Sequence, residues 1–494
     1  MKAFIKILII SFIALVLKGY ANEIQLETLW STDSLVKSGK TMGIDWDEDE
    51  TNGYLYAVVD SNGYNSDHIE IYRSTDNGLT WQLWYKYAAT NDSSLTNPRV
   101  RVVRDADDTS WVCVFAIWCE SSGNDELWMR AFKTTDHTTH FEYNVDNYIE
   151  FYDVESDKGD SAYVYATYIK MDNIIFARND LSGAWQNYNT IFANPCSYPS
   201  PQVSTDSKGN VGVCFIDTSL STGGRDEIRL VRSKDYGQTW VPVQQVTVNT
   251  GYHGISELDM AYSQDASTQA AWISNTWTVS NNRRVGYYYS TDTAVVWNYG
   301  GILSGPPSSE EFKCNIRSNR STGDLALIYM ADYFGKYNAA YTYAPATDPT
   351  GFDDAIYIND DSLSQIATPT AIVGWAGIDP AIMYVDYGEN NVYFDWLTNS
   401  GIDVQVEKIS LIELDNNILT SKRVAAKYSI HKTGMVNITL LNVTGQIVRT
   451  LLNSIQAPGT YEINIDCEGL SSGIYILYLG TNVGNDYRKI TLIK

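Results

Sequence analysis

Histidine is scarce in this chain, with five in 494 residues, and proline and cysteine are few at twelve and six. No H-E-x-x-H string occurs, and the one G-x-S-x-G, Gly469-Leu470-Ser471-Ser472-Gly473, lies in the final segment, so with five His zinc-hydrolase and Ser-triad chemistry have little support in the sequence. No two cysteines stand at C-x-x-C spacing, which leaves no structural zinc motif. Cys113, Cys119, Cys196, Cys214, Cys314 and Cys467 are scattered thinly over a chain long enough to stabilise itself by burial, so buried free thiols are expected. Cys113 and Cys119 fall six apart on one apparent strand, about 20 Å at 3.3 Å per residue, and cannot pair with each other. Cations are short too: 35 Lys plus Arg stand against 59 Asp plus Glu, a net charge of −24. Nucleic acid is therefore not an expected partner, because a phosphate backbone needs clustered cations. Long apolar runs are missing as well. The longest, Ile7 to Leu17, has 11 residues, where a bilayer span needs about 20.

That run has its own meaning. Lys2 and Lys6 precede it, and Gly19 and Ala21 follow, which is the order of a secretory signal peptide over residues 1–21. The mature chain is expected to be exported, with no transmembrane span. Composition then divides what remains. Residues 22–414 hold 24 basic against 54 acidic residues, a net charge of −30, and all 14 Trp; residues 415–494 hold 8 basic against 5 acidic residues, net +3. Two domains with those boundaries are expected.

The acidic part repeats. Ser74-Thr75-Asp76-Asn77-Gly78-Leu79-Thr80-Trp81 and Ser233-Lys234-Asp235-Tyr236-Gly237-Gln238-Thr239-Trp240 both read S-x-D-x-G-x-T-W. Weaker copies occur at Thr134-Thr135-Asp136, at Asn179-Asp180 with Gly183 and Trp185, and at Ser290-Thr291-Asp292 with Trp297. More distant ones lie at Asp348 with Gly351 and at Asn399 with Gly401. The steps between them are 60, 44, 55, 57, 56 and 51 residues. Each unit also carries a polar turn before an aromatic and β-branched strand, as at Ser207 to Asn210 before Val211 to Ile216. Three or four short strands per unit of about 50 residues, with turn residues at fixed offsets, predict the blades of a β-propeller. Seven blades are expected between about Met42 and Ser410, with six as the alternative.

In the repeated motif, Asp accepts local backbone N–H bonds, Gly tolerates positive φ and Ser or Thr adds a second bond. That makes Ser74, Asp76, Gly78, Thr80 and Trp81, with Ser233, Asp235, Gly237, Thr239 and Trp240, structural parts of a hairpin turn between the last two strands of a blade. They are not expected to be catalytic. The motif resembles the Asp-box, or bacterial neuraminidase repeat. The resemblance implies a sialidase-like propeller with its boxes at the periphery, away from the axis. A sialidase of that family implies an F/Y-R-I-P element, three Arg clamping a carboxylate, an acidic general acid and a Tyr activated by Glu. No R-I-P string exists here, and Asn97-Pro98-Arg99-Val100-Arg101 stands nearest.

If the first strand of each blade lines the axis, then Asp45, Arg101, Glu150, Glu257, Asp259 and Arg317 converge there as candidate binding residues. No catalytic pair is selected by their spacing. The acidic turns Asp153 to Asp160 and Asp45 to Glu50 bring carboxylates together as calcium would need, yet neither has the Gly and distal Glu of a helical calcium loop. A solvated turn is the preferred reading, and no cofactor is expected.

The final segment alternates apolar and polar residues between Gly-containing turns, predicting a small Ig-like β-sandwich. Asn442-Val443-Thr444-Gly445-Gln446-Ile447-Val448, Pro458-Gly459-Thr460-Tyr461, Leu470-Ser471-Ser472-Gly473-Ile474-Tyr475 and the terminal Arg488 to Lys494 resemble the type A sorting domain of the type IX secretion system. Ser421-Lys422-Arg423-Val424 stands where that family has Y-P-N-P. The resemblance implies contact with the secretion machinery and a secreted or outer-surface location. The expected whole is all-β: a propeller followed by a sorting sandwich. Its leading function is a non-catalytic scaffold for extracellular glycan or protein, and the alternative is a sialidase-like glycoside hydrolase.

Overall fold

The computed structural model describes residues 33–397 and 418–492, short loop segments within both ranges excepted. The signal-peptide reading and the repeat copy at Asn399 lie outside the described residues. The chain forms two compact units, Met1–Thr398 and Asn399–Lys494.

The first unit holds seven four-stranded antiparallel sheets. Its strands grade in polarity from the inside out. In the first sheet the second strand, Tyr54–Asp60, is buried along almost its whole length, whereas the fourth, Gln82–Ala88, is mostly exposed or half-buried. The continuous run Val211–Asp217 is likewise wholly buried, because a strand covered on both faces has no solvent side to alternate toward. Six apolar clusters join neighbouring sheets in sequence, from the first and second through to the sixth and seventh, and a seventh closes the cycle. The last cluster packs Val385 and Phe394 of the seventh sheet against Ile44 and Val59 of the first. The sheets therefore follow one another around an axis in a β-propeller arrangement. The first strands of neighbouring sheets touch in the same cycle, Ile366–Ala376 against Ile44–Asp49 included.

The seventh sheet takes its outer strand from the start of the chain. Ser34–Ser38, upstream of the first repeat as read at about Met42, pairs antiparallel with Asn391–Trp396. Val36 on it is buried. Deleting residues 22–38 exposes an unpaired edge and removes that side chain from the last seam, so a fall in stability of at least about 2 kcal/mol is expected. A lowered urea midpoint for the truncated chain checks it.

The two full motif copies form the turns between third and fourth strands. Asp76 accepts bonds from Ser74 Oγ at 2.7 Å, Thr80 N at 2.9 Å and Thr80 Oγ1 at 2.6 Å, while Ser74 Oγ accepts from Gly78 N at 2.8 Å. Asp235 repeats the set with Ser233 and Thr239, and Gly237 N donates to Ser233 Oγ. Burial works slightly against the Asp76 charge, but bonds from Thr80 and Ser74 outweigh it and hold the carboxyl below its usual range. Gly78 and Gly237 have φ of 87° and 79°. A Cβ on either would overlap an aromatic ring of the preceding sheet, Phe394 for Gly78 and Phe176 for Gly237. Trp81 and Trp240 meet those same rings edge to face at 5.2 and 4.7 Å. Each turn is thus a blade-to-blade interlock.

The weaker copies vary. Ser290-Thr291-Asp292 keeps the Ser–Asp bond and the indole bond of Trp297, with Ala294 at φ 60° in the glycine place. The copy at Thr134-Thr135-Asp136 differs from the expectation. Lys133 pairs directly with Asp136 across a two-residue hairpin, so Asp136 already belongs to the fourth strand.

The second unit has a five-stranded sheet and a two-stranded one, Arg423–Ile430 with Gly459–Asp466. Side chains of both, Tyr428 and Ile465 from one and Ile438, Leu477 and Ile490 from the other, share one core. All six cysteines carry free thiols.

Candidate functional site

The inner strand of each sheet has one edge without a strand beside it, so its N–H groups need other acceptors. Acidic and polar side chains of the neighbouring sheet supply them. Val100 N donates to Asp45 at 3.1 Å, Val102 N to Asp47 at 2.7 Å, Val203 N to Asp153 at 2.9 Å and Ile316 N to Asp259 at 2.9 Å. Asn315 and Ser204 accept in the same way from Val373 N and Tyr262 N. The sequence offset is 50–58 residues each time, which is the repeat length. These side chains stitch one inner strand to the next.

Two stitches carry an arginine. Arg101 Nη1 donates to Asp45 at 2.7 Å and to the Val100 carbonyl at 2.6 Å, and its Nε lies 3.4 Å from Glu155. Arg317 Nη1 donates to Asp259 at 3.0 Å and to the Ile316 carbonyl at 2.9 Å. Burial works against the Arg101 charge, but Asp45 and Glu155 outweigh it and hold the group firmly protonated. Burial pushes the carboxyls of Asp153, Glu155 and Asp259 up, and the arginine charges oppose that shift.

Beside these pairs a cavity of about 310 Å³ opens where the inner strands end and turn into second strands. All seven sheets line it, with Arg101, Glu155, Ser204 and Arg317 each from a different sheet. The first sheet adds Trp46, Asp47 and Glu48, the fifth Tyr262 and the seventh Trp375. Lys158 bridges to Asp47 at 2.5 Å, and Arg320 pairs with Glu50. Glu48 Oε2 accepts the Gly377 N–H at 2.8 Å. Burial nevertheless pushes the Glu48 carboxyl up to about 7. Tyr262 is the only tyrosine lining the cavity, and its buried hydroxyl has no hydrogen-bond partner among the described residues.

Of the six residues expected at the axis, the structure brings together Asp45, Arg101, Asp259 and Arg317. Glu257 lies further along its strand, accepting the Thr276 hydroxyl at 2.9 Å and the Lys313 N–H, and does not line the cavity. Glu150 is exposed and stays outside the group. It falls in a register shift between Ile149 and Tyr152, about 16 Å along the strand from Glu155, which takes the expected place. Trp46, Glu48 and Lys158 fall in the two acidic turns read from the sequence but were not selected as axial residues, and Arg320 and Trp375 were not selected at all.

The Glu48 shift has a consequence for stability. A folded-state pKa of about 7 against 4.5 means that the folded chain holds a proton the unfolded chain releases. That contribution is full below about pH 4.5 and is lost as pH rises through 7, at most ~3 kcal/mol. Glu48→Gln is expected to remove it, so urea midpoints at pH 5 and pH 8 should differ less in the variant than in the parent. Equal differences would count against this reading.

Residues 421–494 match the family described as the secretion system C-terminal sorting domain. No curated protein matches the chain. Among solved structures, the chain is similar to an alpha-L-arabinanase from Penicillium chrysogenum, with 12% identity over 74% of this chain and 98% of that one, and a TM-score of 0.43. An alpha-L-arabinofuranosidase from Fusarium graminearum gives 11%, 75%, 98% and 0.45 in the same order, and the NanB sialidase from Streptococcus pneumoniae 10%, 75%, 70% and 0.41. Likeness at this level carries no argument about activity. The sorting domain does carry one: it engages the type IX secretion machinery, and the chain is exported to the cell surface or the extracellular space.

Proposed function

We propose that residues 22–414 are a seven-bladed propeller, residues 415–494 an Ig-like sorting sandwich, and the exported molecule a non-catalytic scaffold that binds glycan or protein at the axial cavity. The cycle of seven seams supports the blade count. The observation that carries the binding reading is the state of the two arginines. Arg101 and Arg317 are each held by a buried Asp and a carbonyl of their own strand, so each meets the cavity as one half of an ion pair and not as a bare cation. Among the described residues Tyr262 is the one tyrosine lining the cavity, and its hydroxyl makes no hydrogen bond to a Glu that would activate it as a nucleophile.

One observation favours the alternative, a sialidase-like glycoside hydrolase. Glu48 is half protonated near pH 7 in a cavity shared with Asp47 and Glu155, and glycoside hydrolysis uses one carboxylic acid and one carboxylate. Incubating the secreted chain with a mixed glycan pool, followed by mass spectrometry, separates the two. The scaffold reading expects an unchanged pool, and new monosaccharide would overturn it.

A further inference from the structure

Four cations line the cavity, and each is already engaged. Arg101 is held by Asp45 and Glu155, Arg317 by Asp259, Lys158 by Asp47 and Arg320 by Glu50. Asp47, Glu50 and Glu155 in the lining, with Asp45 and Asp259 behind the arginines, exceed those four charges by one without Glu48, whose carboxyl burial holds largely protonated below pH 7. An acidic ligand entering here finds, among the described residues, no cation without an acidic partner, and meets a surplus of carboxylates. Hydroxyl groups face no such penalty, since Asp47, Glu48 and Glu155 can accept from them and the indoles of Trp46 and Trp375 contribute apolar wall. Glu48 uses one oxygen on the Gly377 N–H and has no partner for the other among the described residues.

We infer that the axial cavity is selective for uncharged saccharides and rejects acidic ones, sialic acid included. The inference rests on the binding reading above and deepens it by naming the ligand class. It runs against the ligand that the Asp-box resemblance implies, because an arginine clamp must spend its charge on the substrate carboxylate, and here both cavity arginines already carry carboxylate partners.

The ionic pairs make selectivity adjustable. Lys158, just past the inner strand of the third sheet, reaches Asp47 on the first, and Arg320, just past that of the sixth, reaches Glu50, the second pair being the more exposed. Asp47→Asn and Glu50→Gln leave the charges of Lys158 and Arg320 uncompensated at the cavity, while Lys158 keeps its bond to the Val102 carbonyl at 2.9 Å and the Asn side-chain oxygen can still accept the Val102 N–H that Asp47 accepts.

The test passes a pool of neutral oligosaccharides, and the same pool after enzymatic sialylation, over the immobilised secreted chain at pH 6, with retention read by mass spectrometry. The expected result is retention of neutral members and at least about tenfold weaker retention of their sialylated forms, with the double variant narrowing that ratio at least threefold. Equal or stronger retention of the sialylated pool overturns the inference and leaves the binding reading standing. Retention of neither pool overturns both. A double variant that keeps its far-ultraviolet spectrum and leaves the ratio unchanged shows that the paired cations do not set the selectivity, and it overturns the inference as well.

Discussion

Replacing Gly237 with alanine is expected to destabilise the propeller by about 3 kcal/mol. Two costs combine. A φ of 79° costs an L-residue roughly 1–2 kcal/mol, and the new Cβ overlaps the Phe176 ring, where overpacking costs about 1–3 kcal/mol. Phe176 cannot retreat easily, because Trp240 closes on it at 4.7 Å and Tyr165 lies at 5.8 Å on another side. Gly78→Ala should behave alike through Phe394. Thermal melting or urea unfolding of both variants measures it. A loss under 1 kcal/mol would mean that the turn is a peripheral ornament and the interlock between neighbouring sheets is not real.

The second large effect belongs to the axis. Asp45→Ala leaves Arg101, itself only 4% exposed, with Glu155 at 3.4 Å as its remaining ionic partner, and also leaves Val100 N without its acceptor. Breaking a buried pair from one side costs about 3–5 kcal/mol. Glu50→Gln, which breaks the more exposed pair with Arg320, should cost less than ~1 kcal/mol. The contrast between these two variants is the informative quantity. It separates ion pairs that build the propeller from those that only guard the cavity mouth. Similar losses for both would show that the axial arginines are not structural.

The turns were legible because their chemistry is local. Ser74, Asp76 and Gly78 complete their hydrogen bonds within four residues of each other, so an S-x-D-x-G string carries nearly all the information needed. Period did the rest, since turns some 55 residues apart on strands of similar length predict repeated sheets. What period could not supply was phase. The outer strand of the last sheet comes from Ser34–Ser38, which has no motif and belongs, in sequence, to nothing nearby.

The axial residues were half legible, for a related reason. Asp45 and Arg101 were expected near the axis from the order of strands, but their pairing links residues 56 apart and depends on the exact stagger of two sheets. One irregularity breaks such reasoning. The register shift after Ile149 exchanges Glu150 for Glu155, and no composition or spacing signal announces it. Glu48 was missed because its distinction is environmental: the same carboxyl in a solvated turn would titrate like any other.

Hydrogen exchange of the secreted chain with and without the neutral oligosaccharide pool tests the central claim most directly. If the axial cavity is the binding site, protection should gather in the segments around its mouth, Glu48 to Asn52, Asn319 to Asp324 and Gly374 to Ile378, and leave the outer strands and residues 421–494 unchanged. Protection confined to the outer strands, or to the sorting domain, would contradict the account.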